Sequence, residues 1–212
     1  MLGWFLCYNL AMKNTFSPNV FFDLSKFEHK DLFEVENVWE IISKISEYIK
    51  NNSSENVIIG EGTVVEEGAL IKGPAIIGNN CFIAHGAYIR EGTIIGDNVK
   101  IGHSVEVKNS LILSNTSIAH LNYIGDSIIG SHVNIGGGAI IANFRLDGQT
   151  VKIKYNREQI DTNLKKIGAI VGDGSKIGVN SVINPGTILS KNTKVYPLVN
   201  VFGVHLNEET IK

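Results

Sequence analysis

Cysteine is scarce in this 212-residue chain: only Cys7 and Cys81 are present. Two such distant thiols build no disulfide framework and no CxxC metal knuckle, so both read as buried or free thiols in a reducing, cytoplasmic setting. A dominant charge is lacking as well. The formal net charge is −2, which gives no reason to expect nucleic acid or an anionic membrane surface as a partner. Long apolar runs are missing too. Met1 to Met12 is apolar, but it has no basic n-region and is too short to span a bilayer. Two readings of this stretch stay open: a start at Met12, with Leu2 to Ala11 outside the ordered chain, or a short N-terminal strand or anchor.

What is present is periodicity. An apolar fraction of 43% allows one main domain with a real core. Val38, Ile41, Ile42, Ile45, Tyr48 and Ile49 recur at helical spacing, so an amphipathic helix is expected over about residues 37–50. Asn51-Asn52-Ser53-Ser54 ends it with turn formers. This helix belongs to an N-terminal segment, residues 1–54, and reads as a packing or capping element.

From residue 55 to 212 a different beat takes over. Aliphatic residues return every six positions: Ile59, Val65, Ile71, Ile77, Ile83, Ile89, Ile95, Ile101, Val107, Leu113. Neither a helix nor a simple strand has that period. It marks a parallel β-solenoid, an all-β class in which three six-residue units make one triangular coil of 18 residues and inward side chains stack in ladders. The beat continues at Ala119, takes two steps of five to Ile124 and Ile129, and returns to six at Ile135 and Ile141. It stops over about residues 144–166, a basic stretch expected to form an inserted surface loop, and resumes at Val171, Ile177, Ile183, Leu189, Val195 and Val201.

The coil length supplies a register rule, by which residues 18 apart stack on neighbouring coils. Arg90 and Lys108 are such a pair, each directly after an inward position. Two stacked cations repel unless an anion or a carboxylate lies near, so they either bind phosphate or sit beside Glu91 and Glu106 as a solvated pair. His120 falls just before the steps of five, where broken periodicity, with Tyr123 close by, points to function displacing packing. A lone histidine is more often structural. His85 and His103 also stack, but no histidine lies within five residues of another, so no metal site is expected.

Several pieces then carry a family resemblance: Tyr88-Ile89-Arg90-Glu91-Gly92, Val105-Glu106-Val107-Lys108, Ala119-His120-Leu121-Asn122-Tyr123-Ile124-Gly125-Asp126, Val133-Asn134-Ile135-Gly136 and Ala142-Asn143-Phe144. With these, the chain from about Ile83 to Val201 resembles the C-terminal acetyltransferase domain of the bifunctional N-acetylglucosamine-1-phosphate uridylyltransferase/glucosamine-1-phosphate acetyltransferase family. The spacing agrees without gaps from Arg90 to Asn143. The resemblance implies a left-handed parallel β-helix, a homotrimer and acetyl-CoA as co-substrate. It implies His120 as general base, Arg90, Lys108 and Tyr123 as holders of an amino-sugar phosphate, Asn134 and Asn143 as residues orienting the sugar, and Gly136 and Gly137 as the backbone beside acetyl-CoA.

Departures accompany the match. No nucleotidylyltransferase domain precedes the solenoid, and Phe22 to Tyr48 looks like the linker that joins the two domains. Tyr196-Pro197 stands where the family has small residues, which puts the acyl donor in question. The tail after Val201 is short, and the insertion replaces a short lysine-bearing loop, with Lys152 or Arg145 as stand-ins. The expected reaction is N-acetylation of an amino-sugar 1-phosphate, glucosamine or galactosamine. The alternative is a non-catalytic trimerisation or regulatory module that partners a nucleotidylyltransferase in trans.

Overall fold

The computed structural model describes residues 15–212. Cys7, Met1 and Met12, and the two readings of the chain's start, lie outside the described residues. From Val57 the chain winds into three parallel sheets of eight, eight and seven strands, each strand two or three residues long. Every third strand pairs with the next in its sheet, as in the left-handed parallel β-helix expected from the repeat. The first sheet begins with Val57–Ile59, the second with Val64–Val65 and the third with Leu70–Ile71. In most of these short strands one aliphatic points inward. Ile77, Ile83, Ile89, Ile95, Ile101 and Val107 line one continuous core and are at most 1% exposed.

Beyond Val107 the ladder differs from the expected one. Ile112 pairs with Ile95 and Ile118 with Ile101, so these two residues, not Leu113 and Ala119, are inward. The steps of five therefore run from Val107 to Ile112 and from Ile124 to Ile129, at the corner between the third and first sheets. The cause is local. Leu111-Ile112-Leu113 is apolar throughout, and all three side chains are buried, so a six-residue count lands on Leu113 as readily as a five-residue count lands on Ile112. Buried serines close the shortened corners. Ser110 Oγ donates to the Lys108 carbonyl (2.8 Å) and accepts from Ser127 N–H (3.1 Å), and Ser127 Oγ donates to the Gly125 carbonyl (2.7 Å). The corner at His120, between Ile118 and Ile124, has the ordinary six residues, so broken periodicity gives no reason to single out this histidine.

The first sheet is apolar on both faces. Outward from it point Ile76, Ile94, Leu111, Ile128, Ile170 and Ile188, which join a second core cluster. The N-terminal segment covers them. Helix α1 spans Pro18–Phe21 and helix α2 spans Ile41–Asn52. The apolar face of α2, Ile41, Ile42, Ile45 and Ile49, is buried with Phe16, Phe21, Phe22, Phe33 and Trp39. Burying each such side chain stabilises by roughly 1.5–3 kcal/mol. Phe22 to Tyr48 is thus packed as a layer over the first sheet. The insertion is also structured: Lys152–Tyr155 and Glu158–Asp161 form an antiparallel hairpin, and Phe144 bridges Lys166 at its base. Val151 and Ile153 are buried in the same second cluster, so the hairpin lies over the first sheet beside the N-terminal layer. Among the described residues no helix is long and apolar enough to cross a membrane.

Candidate functional site

The third sheet keeps its outer face open, and the predicted residues gather at its two edges. At its corner with the first sheet, Lys72, Arg90 and Lys108 follow the inward Ile71, Ile89 and Val107, whose strands pair in register. Lys72 extends the cation column by one coil, which the sequence count overlooked. Each of the other two cations has a carboxylate partner. Arg90 Nη1 donates to Glu106 at 2.8 Å and Nη2 lies 3.8 Å from Glu91. Lys108 Nζ lies 3.2 Å from Asp126. The hydrogen bond it donates to Glu106 holds the Arg90 guanidinium above its ordinary pKa. Arg90 Nε is a buried donor without a partner among the described residues.

Tyr123 and Asn143 complete this edge. Asn143 Nδ2 donates to the Tyr123 hydroxyl at 3.1 Å and also to Asp126. Gly125 makes the arrangement possible: a Cβ there would lie 2.5 Å from both the Tyr123 hydroxyl and Asn143 Nδ2. Burial, reinforced by the charge of Asp126, pushes the Tyr123 phenol above its ordinary pKa, so it keeps its proton. Gly125 and Asp126 stood inside the quoted motif, yet only the folded corner shows what they do.

His120 sits at the other edge, the corner between the second and third sheets. Its coil has 17 residues, so it stacks above His103, which stacks above His85. The Leu121 N–H donates to the His103 carbonyl (2.9 Å), and the Ser104 N–H to the His85 carbonyl (3.4 Å). The lower two rings fold back onto the preceding coil. His85 Nδ1 donates to the Glu67 carbonyl (2.6 Å) and His103 Nδ1 to the His85 carbonyl (2.7 Å), and the rings lie parallel with centroids 5.7 Å apart. His120 breaks the pattern. Its exposed ring has no hydrogen-bond partner among the described residues and turns forward over Gly137, where a Cβ would lie 2.9 Å from Nε2. A side chain at Gly137 would push this ring aside. Among the described residues no group of three or more His, Cys, Asp or Glu is placed to hold a metal.

The two residues expected beside the acyl donor divide. Gly136 N–H donates to the Ile177 carbonyl at 2.8 Å and is spent in the coil. Gly137 N–H has no partner among the described residues and is the free donor of the two. Above Gly136 and Gly137 stack Gly178-Val179 and then Tyr196-Pro197. A Cβ on Gly136 would lie 2.8 Å from Val179 N, and one on Gly178 would lie 2.4 Å from Pro197 N. Asn134 lies exposed on the outer face of the second sheet, away from Arg90, Lys108 and Asn143. Arg145 pairs with Asp147, and Lys152 lies in a shallow cleft with Lys154 and Asp161. The candidate residues of one chain thus fall into two groups: Arg90, Lys108, Tyr123 and Asn143 at one edge of the third sheet, and His120, Gly137 and Asn134 at and beyond the other.

Comparison with known proteins bears on the fold and the repeat. The family described as GMPPB C-terminal domain matches residues 71–163, and the hexapeptide repeat of succinyl-transferase matches residues 168–195. A bifunctional protein GlmU of Methanococcus maripaludis is 52% identical over 158 residues, covering 74% of this chain and 38% of that protein. A bifunctional sugar-1-phosphate nucleotidylyltransferase/acetyltransferase of Sulfurisphaera tokodaii is 36% identical over 85 residues, covering 40% of this chain and 21% of that one. Among solved structures, a mutant of AntD, an N-acyltransferase from Bacillus cereus in complex with dTDP and coenzyme A, superposes with a TM-score of 0.43 at 18% identity, over 74% of this chain and 80% of that one. The chain thus carries the hexapeptide repeat of succinyl-transferases and is similar, over part of their length, to bifunctional proteins with an acetyltransferase activity. More narrowly, it is related to the acetyltransferase part of bifunctional sugar-1-phosphate nucleotidylyltransferases, and it spans well under half the length of these two relatives.

Proposed function

We propose that this chain transfers an acetyl group from acetyl-CoA to the amine of an amino-sugar 1-phosphate, in a site completed by a second copy of itself. The observation that carries this is the pairing of an unbound His120 ring over Gly137 with a Tyr123–Asn143–Lys108 cluster across the same open sheet. Arg90, Lys108 and the Tyr123 hydroxyl hold the phosphate and so position the amine. Asn143, and Asn134 from the second sheet, orient the sugar. His120 takes a proton from the amine as it attacks the thioester carbonyl, the tetrahedral intermediate collapses, and the CoA thiolate leaves. Gly137 N–H is the donor for the developing oxyanion.

The division into two half-sites supports assembly. His120 and Asn143 stand at opposite edges of the third sheet, so a neighbour that lays its second sheet against this face brings the halves together. Leu70, Ile140 and Val182 point outward there and are 57%, 38% and 38% exposed. Exposed apolar side chains on a flat sheet suit such a contact, and three-fold closure makes a homotrimer. Light scattering should report three copies. A monomer at micromolar concentration would sink the composite site.

A thiol-release assay with acetyl-CoA and a panel of amino-sugar 1-phosphates tests the reaction. Turnover of glucosamine- or galactosamine-1-phosphate is expected. Two observations favour the non-catalytic alternative: Arg90 and Lys108 already hold carboxylates, and Tyr196-Pro197 caps the column above Gly137. No turnover on any amino sugar, together with tight binding of a nucleotidylyltransferase, would establish that module.

A further inference from the structure

Asp126 has no part in the acyl transfer as proposed, yet it is the most connected side chain of the site. It is 4% exposed and sits in a corner with φ +47°. Its oxygens accept from Asn109 Nδ2 at 2.8 Å, from Lys108 Nζ at 3.2 Å, and from Asn143 Nδ2. Asn109, Asp126 and Asn143 stand on successive 17-residue coils, so the carboxylate is bound from below and from above.

The chemistry of these groups fixes directions. A side-chain amide has two N–H donors on nitrogen and acceptor capacity only on oxygen. The Asn143 amide oxygen cannot face the Asp126 carboxylate, because two acceptors repel, and in a buried corner that costs more than at the surface. The nitrogen therefore faces inward, and its two hydrogens go to Asp126 and to the Tyr123 hydroxyl. Asn143 Oδ1 is left as an acceptor. The Tyr123 oxygen accepts from Asn143, so its own proton is left to donate. The bonds to a charged acceptor are stronger than those between neutral groups, so the carboxylate dictates the arrangement.

We propose that Asp126 is a positioning residue: it orients the Asn143 amide so that the site offers an acceptor to the sugar's amine and, through Tyr123, a donor to the neighbouring phosphate oxygen. This rests on the proposed acyl transfer. Replacing Asp126 by an isosteric amide removes the imposed direction, since an amide offers Asn143 either an oxygen or an NH2 group.

The test is a double-mutant cycle on the full chain. Asp126→Asn should lower kcat/KM for the amino-sugar 1-phosphate at least about tenfold, but by less than about twofold when Asn143 is already alanine. Equal losses in both backgrounds would mean a merely structural carboxylate and would overturn the proposal. A second readout needs no activity. In protein labelled with 15N-asparagine, the Asn143 side-chain amide protons should exchange slowly in the wild type and faster in Asp126→Asn. Unchanged exchange would likewise overturn the proposal. If the wild type acetylates none of the panel, the acyl-transfer function fails while the exchange experiment still decides the role of Asp126.

Discussion

The first and third sheets share one backbone geometry and differ in what points outward. In the first, six successive strands each carry two adjacent aliphatics: Ile76-Ile77, Ile94-Ile95, Leu111-Ile112, Ile128-Ile129, Ile170-Val171 and Ile188-Leu189. Both faces must be dry, and the N-terminal layer and the hairpin cover the outer one. In the third, the residue before each inward aliphatic is Leu70, Tyr88, Glu106, Tyr123, Ile140, Val182 or Asn200, and none of these is buried. One face of the triangle is covered and another is left open, by a choice at one position per strand.

The largest effect should come from reversing that choice on the covered face. Ile94 points outward yet is 0% exposed, as is the inward Ile101. Ile94→Asp and Ile101→Asp should both abolish soluble folding, because burying an unpaired carboxylate costs several kcal/mol. Lys100→Asp, on the exposed face of the second sheet, should change stability by no more than about half a kcal/mol. If Ile94→Asp melts like Lys100→Asp, the layer does not cover the first sheet in solution.

Much of this was legible in the six-residue beat, and the missing part has a physical reason. The parallel solenoid and the inward ladder up to Val107 follow from the period alone. The ladder slipped at Leu113 because a sheet that is apolar on both sides offers two frames. The doubled aliphatics recurring once per coil are themselves the signal for a covered face, and they foretell a partner layer for Phe16 to Ile49 and the insertion. The site was less legible. The motif around Arg90, Lys108, His120, Tyr123 and Asn143 names residues that the fold places along one sheet. The carboxylate partners, the third histidine of the column and the space left by Gly125 and Gly137 depend on which corners are one residue short, and the motif spacing does not display that.

On the open face the largest kinetic effect belongs to His120. Its ring is exposed and makes no hydrogen bond, so His120→Ala should leave the melting temperature and the affinity for sugar phosphate nearly unchanged while kcat falls by about 10² or more. Equal turnover by variant and wild type would remove His120 as the base. A smaller effect should follow at the opposite edge. Lys108→Ala should raise KM more than it lowers kcat, since a cation that grips phosphate alike in ground and transition states contributes uniform binding. It should also lower stability by roughly 1–3 kcal/mol, because Asp126 loses a buried partner. Arg90→Ala should share the KM effect with less loss of stability, as Arg90 is more exposed. Unchanged KM in both variants would make the column surface decoration.

The smallest predicted effect lies back on the covered face, where the layer holds a titratable group. His29 packs edge-on to Phe27 at 5.6 Å, and its Nδ1 lies 3.2 Å from the Tyr48 hydroxyl. Burial pushes the imidazole below its ordinary pKa, and the charges of Glu28 and Asp97 oppose that shift without cancelling it. Burial raises the Tyr48 phenol, so Tyr48 keeps its proton and donates to a neutral imidazole. In the unfolded chain His29 takes up a proton at about pH 6.5, and in the folded chain only at lower pH. Between those two values the unfolded state binds more protons, so stability falls as the pH drops through that window and is fully present above it. Acidifying from about pH 7.5 to about pH 5.5 should therefore lower the wild-type melting temperature more than that of His29→Gln, which does not titrate. The difference should be modest, since His29 is only partly buried. Parallel melting curves across that range would show that the layer leaves His29 as well solvated in the folded chain as in the unfolded one, and that the cover over the first sheet ends short of it.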